Sequence, residues 1–305
     1  MTELLRIGSR GSRLARAQTE WVSERLRAVH PGLTTEVVVI QTSGDRFVDR
    51  PLSAVGGKGL FVQEIEEALT AGAVDCAVHS LKDVPAELAP GLVVAAVPER
   101  ADPRDVVITR RAGGLAALAS GARIGTSSLR RSALLRAARI DLELVALRGN
   151  VDTRLRKLQS EEVDAVILAA AGLARLGLTP AHAEPLDMRT FVPAIGQGAL
   201  AVESRCDPIA DVLRLIEDRA ARQAVEAERA FLYGVGGDCF TPLAAHAEIV
   251  DGELLLRALI ATPDGRTVIR GEMKGGPADG PRLGAELAGE LLGRGGAEIL
   301  AAIGG

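Results

Sequence analysis

The sequence predicts two α/β domains of similar size and a small C-terminal α+β domain with a three-stranded antiparallel sheet. Strand and helix patterns alternate from residue 4 to residue 97, which implies a parallel sheet. The alternation restarts after segment 98–103, which contains two prolines. From Leu243 onward, apolar residues alternate with turn signals, as in antiparallel strands.

The first domain begins with a strand and a capped helix. Ser12 is a suitable N-cap, and Pro31 and Gly32 end the helix that follows it. A buried strand at 34–40 precedes a polar loop at 41–58. The other elements predicted for this domain are strands at 4–8, 74–78 and 92–97 and a helix at 60–69.

The second domain repeats this alternation. Its predicted strands are 106–109, 123–125, 142–146 and 165–168, and its predicted helices are 115–119, 129–138, 153–159 and 171–176. Segment 193–198 is a second crossing between domains, and a strand at 199–203 returns the chain to the first domain. Two crossings between two α/β domains predict a hinged cleft, as in periplasmic-binding-protein-like domains.

The third domain starts with a helix at 220–233. Alternating residues on either side of Asp251-Gly252 predict a hairpin, and Pro263-Asp264-Gly265 leads into a third strand at 267–270. A final helix is predicted at 281–303. The predicted domains are therefore 1–98 with 199–216, 103–193, and 219–305.

Composition narrows the class of protein. The 305 residues are 47% hydrophobic and 25% charged, which predicts a folded protein of several domains. Aromatic residues make up only 2%, which counts against a stacking surface for single-stranded nucleic acid. Three cysteines without paired or metal-ligand spacing, and no secretory or membrane-spanning segment, predict a cytoplasmic protein without a metal site.

Positive charge is concentrated in one part of the chain. The net charge is −4, yet the stretch from Gly121 to Ser160 has nine Arg or Lys against three Asp or Glu. Such a patch is typical either of nucleic-acid binding or of binding to a small polycarboxylate or phosphate.

Polar residues follow the predicted strand at 74–78. His79, Ser80, Lys82 and Asp83 lie where the strand ends, and Pro85 disfavours helix there. In open α/β sheets, ligands bind beyond the carboxyl ends of strands. Taken alone, however, an Asp beside a Lys is more often a solvated surface pair. His79 is either a packed residue at the strand end or a functional one.

Two turns of the second domain combine helix starts with arginines. Segments 125–131 and 147–154 each follow a strand and open a helix, where free N–H groups attract anions. The first segment offers Ser or Thr as an ordinary N-cap, and the second offers Asn150 or Asp152. Arginine opposes the helix dipole there, so we expect these arginines, with Arg10 and Arg175, to bind ligand anions. Gly56-Gly57-Lys58-Gly59 lacks the Ser or Thr of a nucleotide-binding loop, and Lys58 is either a ligand contact or a solvated side chain.

Cys239 differs from the other cysteines. Glycines at 236 and 237 clear space around it and Pro242 follows, an arrangement that suits an accessible thiol. A buried cysteine remains the commoner outcome, and Cys76, inward on a strand, fits that description. Cys206 carries no functional signal.

Several motifs together resemble one family. Glu228-Arg229 followed by Val235-Gly236-Gly237-Asp238-Cys239-Phe240-Thr241-Pro242-Leu243 is similar to the cofactor-attachment signature of the hydroxymethylbilane synthases, also called porphobilinogen deaminases. The resemblance continues, in register, through 9–12, 55–61, 79–85, 125–131, 147–154, 170–178 and 193–198. Two departures are Ala54, where some members have Lys, and Asp238, where other members have Gly.

The resemblance implies a transferase of haem and porphyrin biosynthesis that joins four porphobilinogen molecules head to tail, with loss of ammonia, to give hydroxymethylbilane. It implies a monomer, a dipyrromethane cofactor bound covalently to Cys239 through a thioether, and Asp83 as the catalytic group. It implies cofactor binding by Ser80, Lys82, Thr126, Ser127, Ser128, Arg130 and Arg131. It implies binding of substrate or growing chain by Arg10, Ser12, Gln18, Lys58, Arg148, Gly149, Arg154, Arg175 and Gln197.

The chemistry agrees with this resemblance. Each porphobilinogen carries two carboxylates, and loss of ammonia leaves a cation that a nearby carboxylate stabilises. Asp83 is the only acid that we predict among the basic motif residues. The alternative is a two-lobed carboxylate-binding module without catalysis, which explains the arginines but not Cys239 or the third domain.

Overall fold

A computed structural model describes residues 4–43, 62–236 and 241–304. The chain forms two compact units, the first from Met1–Ala101 and Gly198–Arg222 and the second from Asp102–Gln197 and Gln223–Gly305. Two five-stranded sheets and one three-stranded antiparallel sheet confirm the predicted fold class. No helix within the described ranges is long and apolar enough to cross a membrane.

The sheet of the first unit is mixed, with the strand order β2-β1-β3-β10-β4. Strand β1 runs parallel to β2 and β3, whereas β10 runs antiparallel to β3 and β4. Because β3 and β4 both pair antiparallel with β10, they run in the same direction, as predicted. The strand predicted at 199–203, β10, joins this sheet but runs antiparallel between them, so the sheet is not purely parallel as predicted. The strands are β1 Leu4–Arg10, β2 Thr34–Ile40, β3 Cys76–Ser80, β4 Leu92–Ala96 and β10 Leu200–Arg205.

Strand β2 has the predicted bounds but is not buried as predicted. It lies at the edge of the sheet, and its residues are only partly covered or exposed. Helix α1 (Arg13–Val29) packs beside it and begins as predicted, because the Ser12 side chain accepts a hydrogen bond from Ala15 N. Helix α2 is Gln63–Thr70, and the start predicted for it at residue 60 lies outside the described residues.

The larger sheet of the second unit has the order β7-β6-β8-β5-β9. It is also mixed, because β5 pairs antiparallel with β8 and β9 while β6 pairs parallel with β7 and β8. The strands are β5 Asp105–Thr109, β6 Arg123–Gly125, β7 Glu143–Val145, β8 Ala165–Ala169 and β9 Ala183–Pro185. The helices are α3 Leu129–Ala138, α4 Val151–Gln159 and α5 Ala170–Arg175.

The helix predicted at 115–119 was wrong, because this segment forms turns. Gly113 and Gly114 precede it with φ of 110° and 57°, a conformation that interrupts helical geometry. Apolar residues in so short a segment do not distinguish a helix from turns packed on the core.

The three-stranded sheet of the second unit follows the predicted hairpin pattern. Its strands are β11 Leu243–Val250, β12 Glu253–Ala261 and β13 Val268–Gly275, and β13 extends well beyond the predicted 267–270. Asp251 and Gly252 form the first turn with φ of 51° and 82°, as type I′ turns require. The helices that accompany it are α7 Arg219–Val235, α8 Gly280–Leu291 and α9 Ala297–Gly304, whereas α6 Ile209–Leu213 belongs to the first unit.

The single final helix predicted at 281–303 is broken into α8 and α9. Gly295 lies between them with φ of 104°, and Arg294 also leaves helical geometry. Helices α7 and α8 pack on one face of the small sheet, where Phe231, Leu256 and Leu287 are fully buried.

The turn between β12 and β13 packs against helix α3. Arg136 Nη1 donates to Pro263 O at 2.7 Å. A Cβ atom on Gly265 would lie 2.3 Å from Ala133 O, and Gly265 has φ of +70°. Only glycine fits this turn without displacing the helix.

We predict that Gly265→Ala destabilises the protein more than Gly252→Ala. Both glycines occupy hairpin turns with positive φ, but a Cβ on Gly252 meets nothing within 4 Å. The backbone clash at Gly265 adds about 1–3 kcal/mol to the cost of the positive φ. Denaturant unfolding of both variants measures the difference, and equal losses would contradict the close approach of turn and helix.

Candidate functional site

In the first unit, Asp83 lies where strand β3 ends, as predicted. Strand β3 pairs with β10 up to Ser80, and the chain then turns through the short helix Leu81–Asp83. Leu81 N donates to Ala199 O at 3.1 Å, which fixes the start of this turn. Lys82 and Asp83 are both partly buried, so neither is the fully solvated surface residue of the alternative interpretation.

Other predicted residues of this unit surround the end of the sheet. Gln18, on α1, is buried and its Nε2 donates to Ser80 Oγ at 2.9 Å. Ser12 uses its oxygen to cap α1, which leaves its hydroxyl proton to donate. Arg10, the last residue of β1, is partly buried.

His79 is a packed residue, one of the two outcomes considered for it. Its Nε2 lies 2.9 Å from Oε2 of Glu203, and both side chains are almost fully buried. Burial raises the pKa of Glu66, which also interacts with both residues. Glu203 was not predicted, because the pairing of β10 with β3 is not visible in local sequence.

In the second unit, the hydroxyl groups before α3 are held by local hydrogen bonds. Ser128 Oγ accepts from Arg131 N at 3.4 Å, and Thr126 Oγ1 accepts from Ser128 N at 3.2 Å. The exposed Ser127 donates its hydroxyl proton to Leu147 O at 2.9 Å. The start of α3 is therefore shaped mainly by its own side chains.

Arg130 and Arg131 share a carboxylate that was not predicted. Arg130 Nη1 lies 2.8 Å from Asp105 Oδ2, and Arg131 donates from Nη2 and Nε to Asp105 Oδ1 at 2.7 and 3.1 Å. Asp105 is completely buried. The expectation that Asp83 is the only acid among the basic residues was therefore wrong.

The charge of Asp105 is maintained by its partners. Burial alone raises the pKa of a carboxyl group, but the two adjacent arginines outweigh it and hold the pKa of Asp105 well below its ordinary value. Asp105 opens strand β5 directly after Pro103 and Arg104. In the sequence it therefore looks like one more polar residue of the crossing segment.

Gln197 belongs to the same network. It is buried, and its Nε2 donates to Pro103 O at 2.7 Å and to Asp105 Oδ1 at 2.9 Å. Its predicted role as a substrate contact stays a prediction.

One donor of this network has no protein acceptor. Arg130 Nε is buried and has no hydrogen-bond partner among residues 4–43, 62–236 and 241–304.

More cationic groups lie at the start of α4. Asn150 caps this helix, one of the two caps considered, and Gly149 adopts φ of 108° just before it. Arg154 Nε donates to Gly149 O at 2.9 Å. Burial, then repulsion from Arg131 and Arg148, lowers the pKa of Arg154 to about 10.

Arg175 is a further partly buried cation of this unit, at the end of α5. Burial lowers its pKa to about 10. Burial disfavours the charged form of both Arg154 and Arg175, and an anionic ligand bound next to them would stabilise that form.

Two predicted residues, Lys58 and Cys239, lie outside the described residues. Cys76 is fully buried and Cys206 is exposed. Burial raises the pKa of the Cys76 thiol, so this cysteine is inert. In the described part of the chain, no group of three or more His, Cys, Asp or Glu is placed to hold a metal ion.

Comparisons with known proteins identify the family. Residues 5–210 match the family model "porphobilinogen deaminase, dipyromethane cofactor binding domain", and residues 222–293 match "porphobilinogen deaminase, C-terminal domain". The chain is 53% identical over 304 residues to a porphobilinogen deaminase of Roseiflexus sp. (strain RS-1), which covers 99% of this chain and 100% of that protein. It is 50% identical over 301 residues to a porphobilinogen deaminase of Syntrophotalea carbinolica, which covers 98% and 96% of the two chains.

Among solved structures, the methionine-binding protein MetQ is similar with a TM-score of 0.44 and 16% identity, over 72% of this chain and 90% of that one. The two family models and the full-length relatives lead to one assignment: the chain belongs to the porphobilinogen deaminase family.

Proposed function

We propose that this protein is a hydroxymethylbilane synthase, a transferase of haem and porphyrin biosynthesis. It joins four porphobilinogen molecules head to tail with loss of ammonia. Family membership supports this, and one structural observation carries it: two buried arginines, Arg130 and Arg131, share the single carboxylate of Asp105 and so leave a net positive charge. Such a concentration of positive charge suits a substrate and product that bear many carboxylates.

The residues around Arg130 fit the carboxylates of a dipyrromethane cofactor. The buried Nε–H of Arg130 lacks a partner within the described ranges, and a ligand carboxylate would satisfy it. When bound, the cofactor supplies the pyrrole from which the chain is extended. We assign its binding to Ser80, Lys82, Thr126, Ser127, Ser128, Arg130 and Arg131, and its covalent attachment to Cys239.

Asp83 is the catalytic residue in this proposal. Its place at the end of β3 is defined by backbone hydrogen bonds, so its carboxylate is presented from a rigid element. The group assists proton transfer to the leaving amine and stabilises the positive charge left on the substrate.

The remaining predicted residues bind substrate and growing chain. Gln197 is one of them, and its amide also donates to Asp105. The others are Arg10, Ser12, Gln18, Lys58, Arg148, Gly149, Arg154 and Arg175. Each charge-assisted hydrogen bond to a carboxylate contributes roughly 1.5–3 kcal/mol.

We further propose a cytoplasmic monomer with three domains, formed by residues 1–98 with 199–216, 103–193 and 219–305, that acts without nucleic acid or membrane partners. Incubation with porphobilinogen tests the central proposal. Release of ammonia and formation of hydroxymethylbilane are expected, whereas binding without ammonia release would identify a carboxylate-binding module.

We predict that Asp83→Asn folds normally but loses on the order of 10²-fold in turnover or more, the usual scale for an acid–base group. Glu87→Gln is the matched control, because Glu87 is an exposed carboxylate in the same loop. Ammonia release under saturating porphobilinogen measures both variants. Near-normal turnover of Asp83→Asn would remove Asp83 from the proposed role.

We predict that the intact protein carries additional mass equal to two condensed pyrrole units. This mass should be absent from Cys239→Ser, because a thioether requires the sulfur atom. Mass spectrometry of the denatured proteins decides the matter. An active enzyme with the bare polypeptide mass would contradict the thioether.

We predict that Arg154→Gln lowers kcat/KM for porphobilinogen by about 10- to 100-fold, as expected for the loss of one charge-assisted hydrogen bond. Arg156→Gln is the control, since Arg156 is exposed on the same helix. Steady-state kinetics compares the two variants. An equal decrease of kcat/KM in both variants would show that the overall charge of the protein, rather than the position of Arg154, determines the effect.

A further inference from the structure

We propose that Asp105 is a positioning residue of the arginine site: its carboxylate compensates one of the two charges of Arg130 and Arg131 and holds both guanidinium groups for the ligand. This inference rests on the proposed function, in which these arginines bind carboxylates. It assigns a role to a residue that lies outside the predicted site.

The geometry gives each guanidinium two anchors. Arg130 Nη1 donates to Val192 O at 2.7 Å and also contacts Asp105. Arg131 Nη1 donates to Ile167 O at 2.9 Å, while its Nε and Nη2 donate to Asp105. Asp105 thereby links helix α3 with strand β5 and makes the orientation of both side chains specific.

The anchors leave donors available. A guanidinium has five N–H bonds, and the contacts named above use three of those on Arg131. On Arg130 the Nε–H is the donor without a partner in the described part of the chain. Asp105 thus occupies one edge of each group without consuming all of its hydrogen bonds.

Charge explains why a single carboxylate is suitable. Two cations and one anion leave one net positive charge, which attracts a ligand while limiting the cost of burial. Burial lowers the pKa of Arg130 even with Asp105 present. Without Asp105, two buried cations would face each other close to Arg154, and an external polycarboxylate would be the remaining source of compensation.

The test measures thermal unfolding of the full chain as Cys239→Ser, which cannot carry a thioether cofactor. Asp105→Asn in this background is compared with its parent in sodium chloride and in sodium citrate at equal ionic strength. We expect a Tm about 10 °C lower in chloride, and we expect citrate to recover at least half of that loss. Asp141→Asn is the control, because Asp141 pairs with Arg139 at the surface of the same unit.

The proposal would be overturned if citrate recovered no more of the lost Tm in Asp105→Asn than it does in Asp141→Asn. Asp105 would then have a structural role only. An unchanged Tm in chloride would overturn the proposal as well. A parent that gains no stability from citrate, together with no ammonia release by the wild-type enzyme, would instead contradict the proposed function.

A second variant covers the case in which Asp105→Asn does not fold. Asp105→Asn/Arg130→Gln removes one anion and one cation, so the net charge of the trio is restored. We expect this double variant to fold and to unfold at a higher temperature than the single variant. A double variant that is no more stable, or that also fails to fold, would overturn charge compensation.

Discussion

A buried guanidinium group needs a nearby anion, because moving a charge out of water costs far more than most single contacts recover. In the second unit one carboxylate meets this need for two adjacent arginines. This carboxylate belongs to Asp105, the first residue of β5, and the start of α3 and the amide of Gln197 are arranged around it. The neighbouring Arg148 and Arg154 add positive charge to an environment that is only partly neutralised.

The mixed sheets matter for this arrangement. Because β5 runs antiparallel to β8, Asp105 at its first position pairs with Ala169 at the last position of β8. In the first unit, β10 runs antiparallel to β3 and brings the buried Glu203 against His79. In the first unit an antiparallel strand thus places an acid beside a histidine, and in the second unit the antiparallel strand β5 places an acid beside two arginines of α3.

Local patterns were enough to predict much of this structure. Ser12, Ser128 and Asn150 cap the helices for which they were considered, because a cap depends on residues three positions away. The same holds for the Asp251-Gly252 turn. Asp105 and Glu203 could not be predicted in this way, since their partners are 25 or more residues distant in the chain. Strand pairing brings Glu203 to His79, and the packing of α3 brings the two arginines to Asp105. The break at Gly295 was missed, although Gly293, Gly295 and Gly296 interrupt the apolar spacing there.

The Gly265 turn has a mechanical consequence. The turn packs closely against the backbone of helix α3. In addition, Ala133, Leu134 and Leu135 of α3 belong to one apolar cluster with Leu259 and Ala261 of the small sheet. The small sheet and the helix that carries Arg130 and Arg131 therefore share one core. A displacement of the C-terminal sheet would displace the two guanidinium groups as well, so the C-terminal segment contributes to the geometry of the anion site.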